Sequence, residues 1–236
     1  KYQYDRSRAK IVGAEALVRW IDANGKCKSP MEFIPVFEAN GFIYKLDCFM
    51  WEMVCKVIRR WLDTGRQSLP ISVNVSRTYL QKEDVAGYIK NLIGKYQIPM
   101  ELFQLEITET TENAESLSYI NSLKQAGFTL LMDDFGSGYS SLCMLKNTPF
   151  DVLKMDRQFL DECLDSKQGK TIISHVISMS NDLGLSIIAE GVENRGTADF
   201  LYDNGCSVSQ GFYFSKPVSI PEFEHMLDEQ QTEQQR

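Results

Sequence analysis

A chain of 236 residues, 43% hydrophobic and 24% charged, is long enough to bury one large core or two small ones. Its net charge of −7 argues against a general nucleic-acid binder, which needs a basic face for the phosphates, so no DNA or RNA duplex is expected as a partner. No apolar run reaches the roughly 20 residues of a membrane span, and no signal peptide opens the chain.

The elements follow in order. Strands are expected near residues 2–5 and 11–19, the second because Ala14, Ala16 and Val18 alternate with Glu15, Leu17 and Arg19. Helical patterns then cover 30–40 and 47–63. In 71–76 the apolar Ile71, Val73 and Val75 alternate with Ser72, Asn74 and Ser76, ahead of a helix over 78–96. Phe103–Thr108 repeats the alternation and precedes a helix over 112–126. An apolar run ending in Asp133-Asp134 marks a strand over 129–133, before a short helix near 140–146. The strand over 152–156 carries Lys154 and Asp156, and the helix after it, 158–183, is interrupted at Lys167-Gln168-Gly169. A strand over 186–190, a helix over 194–204, a strand over 208–214 and a helix over 219–229 complete the series. The barrel is expected to span 1–228, with 229–236 a frayed polar tail.

Strands alternating with helices imply parallel β-α units, and eight of them fit a (β/α)8 TIM-like barrel. Only about five residues join the first two strands, which permits a hairpin and not a crossover, so the first strand should run antiparallel. A doubly wound open sheet is the alternative. Phe33, Phe37, Trp51 and Trp61 read as helical packing. The cysteines 27, 48, 55, 143, 163 and 206, irregularly spaced, read as reduced thiols of a cytoplasmic domain. His175 and His225 lie far from strand ends, against a zinc site or a His-based nucleophile. The chain opens on Lys and not Met, so it is expected to be part of a longer protein.

In such a barrel the polar faces converge on the carboxyl ends of the strands. Glu15, Asn74, Glu106, Asp133, Asp134, Lys154, Asp156, Glu190 and Gln210 would then meet. Several carboxylates and an amide oxygen, without His or Cys, describe a hard-cation site for Mg²⁺ or Mn²⁺. Asp133 and Asp134 point opposite ways in a regular strand and can serve neighbouring ions only if the chain turns, a turn expected from Phe135-Gly136-Ser137-Gly138. Two ions so held can activate a water and stabilise the departing oxygen of a phosphodiester. Taken singly, each residue has a structural reading: a solvated Glu, a turn at Asp-Asp, a counter-ion at Lys154, core amides at Asn74 and Gln210. Their conjunction on successive strands points to a site.

The motifs Glu15-Ala16-Leu17-Val18-Arg19-Trp20, Ser72-Val73-Asn74-Val75-Ser76 and Leu105-Glu106-Ile107-Thr108-Glu109 stand in order along the chain. Asp133-Asp134-Phe135-Gly136-Ser137-Gly138-Tyr139, Lys154-Met155-Asp156-Arg157, Glu190-Gly191-Val192-Glu193 and Gln210-Gly211-Phe212-Tyr213-Phe214-Ser215-Lys216-Pro217 follow. Together they resemble the EAL domains, cyclic di-GMP phosphodiesterases. The resemblance implies hydrolysis of cyclic di-GMP to linear 5′-pGpG by two-metal water attack, with Ca²⁺ inhibiting. It implies that Glu15, Asn74, Glu106 and Asp133 hold one ion, and Asp133 and Asp134 the second, with Glu190 assisting. Lys154 would orient or deprotonate the attacking water, and Gln210 would support the water network. Leu17, Arg19, Asp156 and Glu193 would face the substrate, Arg19 at a phosphate. Glu109 would brace a regulatory loop over 135–142 that homodimerisation sets. Fusion to sensory, cyclase-like or membrane segments is also implied. One departure is visible: the family carries Gln-Pro fourteen residues before the motif Glu, where this chain has Lys1-Tyr2.

Two other readings stay open. One is a non-catalytic cyclic di-GMP receptor or protein-interaction module of the same fold. The other is an enolase-type barrel with Lys154 as carbon-acid base, which would need a capping domain that no part of the sequence supplies.

Overall fold

The structure, a computed structural model, describes residues 1–76, 84–108, 114–136 and 141–234. The chain begins with β1 (Tyr2–Tyr4), β2 (Ala9–Ile11) and β3 (Ala14–Glu15), then the small hairpin β4 (Trp20–Ile21) and β5 (Cys27–Lys28). Helices α1 (Pro30–Asn40) and α2 (Ile43–Thr64), strand β6 (Ile71–Asn74) and helix α3 (Val85–Tyr96) come next. From there strands and helices alternate: β7 (Phe103–Thr108), α4 (Ala114–Gln125), β8 (Thr129–Phe135), α5 (Ser141–Asn147) and β9 (Val152–Met155). The remainder is α6 (Arg157–Leu164), α7 (Lys167–Asp182), β10 (Ser186–Ala189), α8 (Arg195–Asp203), β11 (Val208–Ser209) and α9 (Ile220–Gln234).

The main sheet runs β2-β1-β11-β10-β9-β8-β7-β6-β3. Its two edge strands belong to one stretch of chain, residues 9–15, which pairs antiparallel with β1 through Ile11 and parallel with β6 through Ala14. That stretch nearly closes the sheet into a barrel of eight staves, with β1 antiparallel to both neighbours. The β1–β2 turn is fixed by the Asp5 carboxylate, which accepts the Ser7 and Arg8 main-chain N–H groups. The step between the two edges falls at Gly13, where an added Cβ would lie 3.1 Å from the Pro70 carbonyl oxygen. The single strand expected over 11–19 is therefore two pieces. Residues 16–19 leave the sheet, and Leu17 and Arg19 are exposed.

Other boundaries also shift. Helix α2 begins four residues before the expected 47, and the interrupted helix is indeed two, separated at Ser166, whose hydroxyl caps α7 by accepting Gly169 N–H at 2.9 Å. The strand expected over 208–214 ends at Ser209. The tail expected to fray is helical to Gln234: Gln230 accepts the Ile11 N–H at 2.6 Å and donates to its carbonyl at 3.1 Å, while Asp228 pairs with Arg66 at 2.8 Å. Cys27, Cys48, Cys55, Cys163 and Cys206 are free thiols. Among the described residues no helix is long and apolar enough to cross a membrane.

Period two divides the core. Leu130, Met132, Leu153, Met155, Ile187 and Ala189 face outward and pack with the helices, including the buried Trp51 and Trp61. Leu131, Val152 and Ile188, with Val208, form a separate cluster inside the barrel. This is an apolar floor, and what lies above it is polar.

Candidate active site

Two residues beyond each floor residue stands a polar one: Asp133 after Leu131, Lys154 after Val152, Glu190 after Ile188 and Gln210 after Val208. Glu106 on β7 and Glu15 on β3 join them. Lys154 Nζ is the centre, 2.7 Å from Asp133 Oδ1, 2.7 Å from Glu190 Oε1, 2.8 Å from Glu106 Oε2 and 3.4 Å from Glu15 Oε2. Gln210 Nε2 donates to Glu15 Oε2 at 2.8 Å and to Glu190 Oε1 at 2.9 Å, locking those two carboxylates together. Lys154 and Glu106 are each 1% exposed, so the charges interact with little screening.

The electrostatics follow from that burial. Burial works to lower the Lys154 ammonium, but the ring of carboxylates overcomes it and holds the group well above its ordinary value. Lys154 as it stands is a donor with no lone pair to accept a proton; of the two roles expected for it, orienting suits this geometry. Glu106, between Lys154 and Lys1, is held down at about 2 although burial alone would raise it. Glu190 is pushed up to about 8, by burial first and then by Asp133 and Glu15. Glu15 is also raised, by burial and by Glu106, and Asp134 rises to about 6 through burial and Asp133. The acids outnumber the cations, and the excess is carried as unfavourable charge.

The Asp133-Asp134 pair is separated by a bulge, one residue before the start of the expected turn, in which Gly136 has φ of 98°. Between β8 and β9 the register shifts: Met132 faces Leu153 and Phe135 faces Met155, so β8 fits one extra residue into that interval. Asp134 absorbs it with φ of 57°, in the left-handed region. The bulge ends the strict alternation between the two acids, so they need not point to opposite faces of the sheet. Residues 137–140 of the expected loop, and Glu109, lie outside the described residues.

Asn74 sits across from Glu106 in the β6–β7 register and is exposed at the rim. Its strand end is braced from α2: Trp51 Nε1 donates to the Asn74 carbonyl at 3.1 Å, and the Asp47 carboxylate accepts Ser76 N–H at 2.9 Å. Burial pushes Asp47 up to about 6.

Above the acids opens a cavity of about 780 Å³ whose wall includes Glu15, Glu190, Gln210, Leu17, Arg19 and Glu193. Glu193 is paired there with Arg157 at 2.8 Å. Asp156, expected on the substrate side, is not part of that wall. The strand ends at Met155, and the Asp156 carboxylate caps α6, accepting Gln158 N–H at 2.8 Å and Phe159 N–H at 3.4 Å.

Two residues went unassigned from sequence. Lys1 Nζ donates to Ser72 Oγ at 2.7 Å and to Glu106 Oε1 at 3.3 Å, its side chain 4% exposed. Ser72 had shown itself only as a member of the polar face of its strand. Among the described residues no three of His, Cys, Asp and Glu converge by themselves on a point where an ion would sit, because the carboxylates converge on Lys154. The donor set still fits a hard divalent cation. It is all oxygen, over-acidic, and already gathered around one positive charge.

Comparison with known proteins gives the family. The sequence model of the EAL domain matches residues 2–217, and the chain belongs to the EAL domain family. It is 37% identical over 231 residues to the signaling protein YkoW of Bacillus subtilis, covering 97% of this chain and 29% of that protein. With MucR of Pseudomonas aeruginosa, a bifunctional diguanylate cyclase/cyclic di-GMP phosphodiesterase, identity is 32% over 88% of this chain and 31% of that protein. The chain thus spans about a third of the length of these relatives. Among solved structures, the cyclic di-GMP complex of the PaMucR phosphodiesterase superposes with a TM-score of 0.83 at 31% identity, covering 91% of this chain and 88% of that one.

Proposed function

We propose that this chain hydrolyses cyclic di-GMP to linear 5′-pGpG. The observation that carries the reading is the buried ring of strand-borne carboxylates on Lys154 at the foot of the cavity. Glu15, Asn74, Glu106, Asp133, Asp134 and Glu190 would hold two Mg²⁺ or Mn²⁺ ions, which when bound supply an activated water and charge stabilisation at the scissile phosphate. The protein's own part is orientation. Gln210 keeps Glu15 and Glu190 at a fixed separation, and Lys154 ties Asp133, Glu106 and Glu190 to one point. Arg19 on the cavity wall suits a phosphate, and the neighbouring Leu17, Phe49 and Phe212 offer apolar surface to flat bases. Glu109 as a brace for the loop after Asp134, homodimerisation and fusion to regulatory domains belong to the same proposal.

The test is incubation of purified protein with cyclic di-GMP and Mg²⁺, followed by chromatography for pGpG. Binding without turnover would favour the second reading, a cyclic di-GMP receptor, for which the ammonium of Lys1 against Glu106 is the supporting observation.

A further inference from the structure

Lys1 stands where no cation was expected. Its ammonium is buried, hydrogen-bonded to Ser72 Oγ at 2.7 Å and 3.3 Å from Glu106 Oε1. The other oxygen of the same carboxylate, Oε2, is 2.8 Å from Lys154. Both oxygens of Glu106 are therefore engaged by ammonium groups, so a metal ion approaching Glu106 meets a second positive charge there beside that of Lys154. Lys1 is the group that can yield. It holds Glu106 at the longer distance, keeps Ser72 as a partner, and lies on the wall of the cavity, whereas Lys154 is tied to four carboxylates.

Charge counting points the same way. Glu15, Glu106, Asp133, Asp134 and Glu190 against Lys154 leave four formal negative charges, the number that two divalent ions neutralise. Lys1 reduces this to three, so a second divalent ion would leave the site positive. We propose that Lys1 is a positioning residue that competes with the cation for Glu106 and weakens divalent-metal binding. The inference rests on the metal-dependent reading above, and it is specific to this chain's Lys1.

Metal-stripped protein titrated with MnCl₂, with free Mn²⁺ followed by electron paramagnetic resonance, tests it without any turnover assay. Lys1→Met should bind Mn²⁺ at least about tenfold more tightly than wild type and take up a second ion at lower concentration. Lys1→Arg, which keeps the charge, should stay near wild type. Ser72→Ala should shift the opposite way, because Lys1 loses its alternative partner and rests wholly on Glu106. These two variants also carry the test if Lys1→Met fails to fold by circular dichroism. Unchanged Mn²⁺ affinity in a folded Lys1→Met, or in Ser72→Ala, would overturn the role of Lys1 and leave the metal reading standing. Absence of Mn²⁺ binding in wild type and variants alike would overturn both.

Discussion

Lys154 Nζ and Asp133 Oδ1 lie 2.7 Å apart on adjacent strands, β9 and β8, directly above the contact of Val152 with Leu131 in the barrel floor. An ammonium at the top of an apolar layer has no water to share its charge, so the pair orients both partners. Lys154→Met keeps the length and removes the charge. Turnover should fall about 10²–10³-fold with little change in KM, as for loss of a preorganised electrostatic donor. Steady-state kinetics checks this; an unchanged kcat with a raised KM would assign Lys154 to substrate binding instead.

The excess acid makes metal-free stability depend on pH. Glu190 is raised to about 8 and Asp134 to about 6, so the folded state binds more protons than the unfolded chain. The stabilising protonated form is fully present below the ordinary carboxylate range and is lost as pH rises through about 8. Melting temperature in EDTA should therefore fall between about pH 4 and about pH 8, and saturating Mg²⁺ should flatten that slope. Turnover should vanish in EDTA, return with Mg²⁺ or Mn²⁺, and be suppressed by Ca²⁺, which prefers more ligands at longer distance.

How much of this was legible depended on parity. Asn74, Glu106 and Lys154 could be read because each lies within an unbroken alternation, and a period of two fixes which face it shares with its neighbours. Asp156 has the same parity as Lys154, but the strand stops at Met155, so strand parity no longer sets its direction. The bulge at Asp134 could not be read, because a bulge is defined by the register against β9 and not by the strand's own sequence. Lys1 was hidden for a related reason. It stands one residue ahead of the antiparallel stave, and three residues of strand are too few to declare a face. The β4–β5 hairpin, two residues a side, is too short for any periodic signal.

The chain's end offers a test of the packing. Gln230 makes two hydrogen bonds to the Ile11 backbone, on the edge of β2 that closes the barrel. Polar sequence hides this anchor, since it uses one side chain and not an apolar face. Gln230→Ala should cost about 1–2 kcal/mol of stability by chemical denaturation, since it leaves a half-buried N–H and carbonyl without their partner. Glu233→Ala, about one turn further on and exposed, should be silent. Equal stability of Gln230→Ala and wild type would mean that α9 is held by its apolar contacts and by its ion pairs to α2 and Arg66.

Asp134 separates structure from chemistry at one position. Its φ of 57° is a conformation that most side chains resist, that Asn tolerates and that Gly adopts freely. Its carboxyl is raised to about 6 by burial and by Asp133, so its charge is unfavourable without a bound cation. Asp134→Asn keeps the backbone preference and removes the charge; it should fold with a melting temperature in EDTA equal to or above wild type. Asp134→Gly should also fold, whereas Asp134→Ala should lose about 1 kcal/mol relative to it because Ala resists positive φ. If the bulge exists to present a metal ligand, all three should lose turnover at least about 10²-fold and bind Mn²⁺ less tightly, regardless of their stabilities. Wild-type turnover from Asp134→Gly would reduce the residue to a turn former and leave the second ion without its ligand.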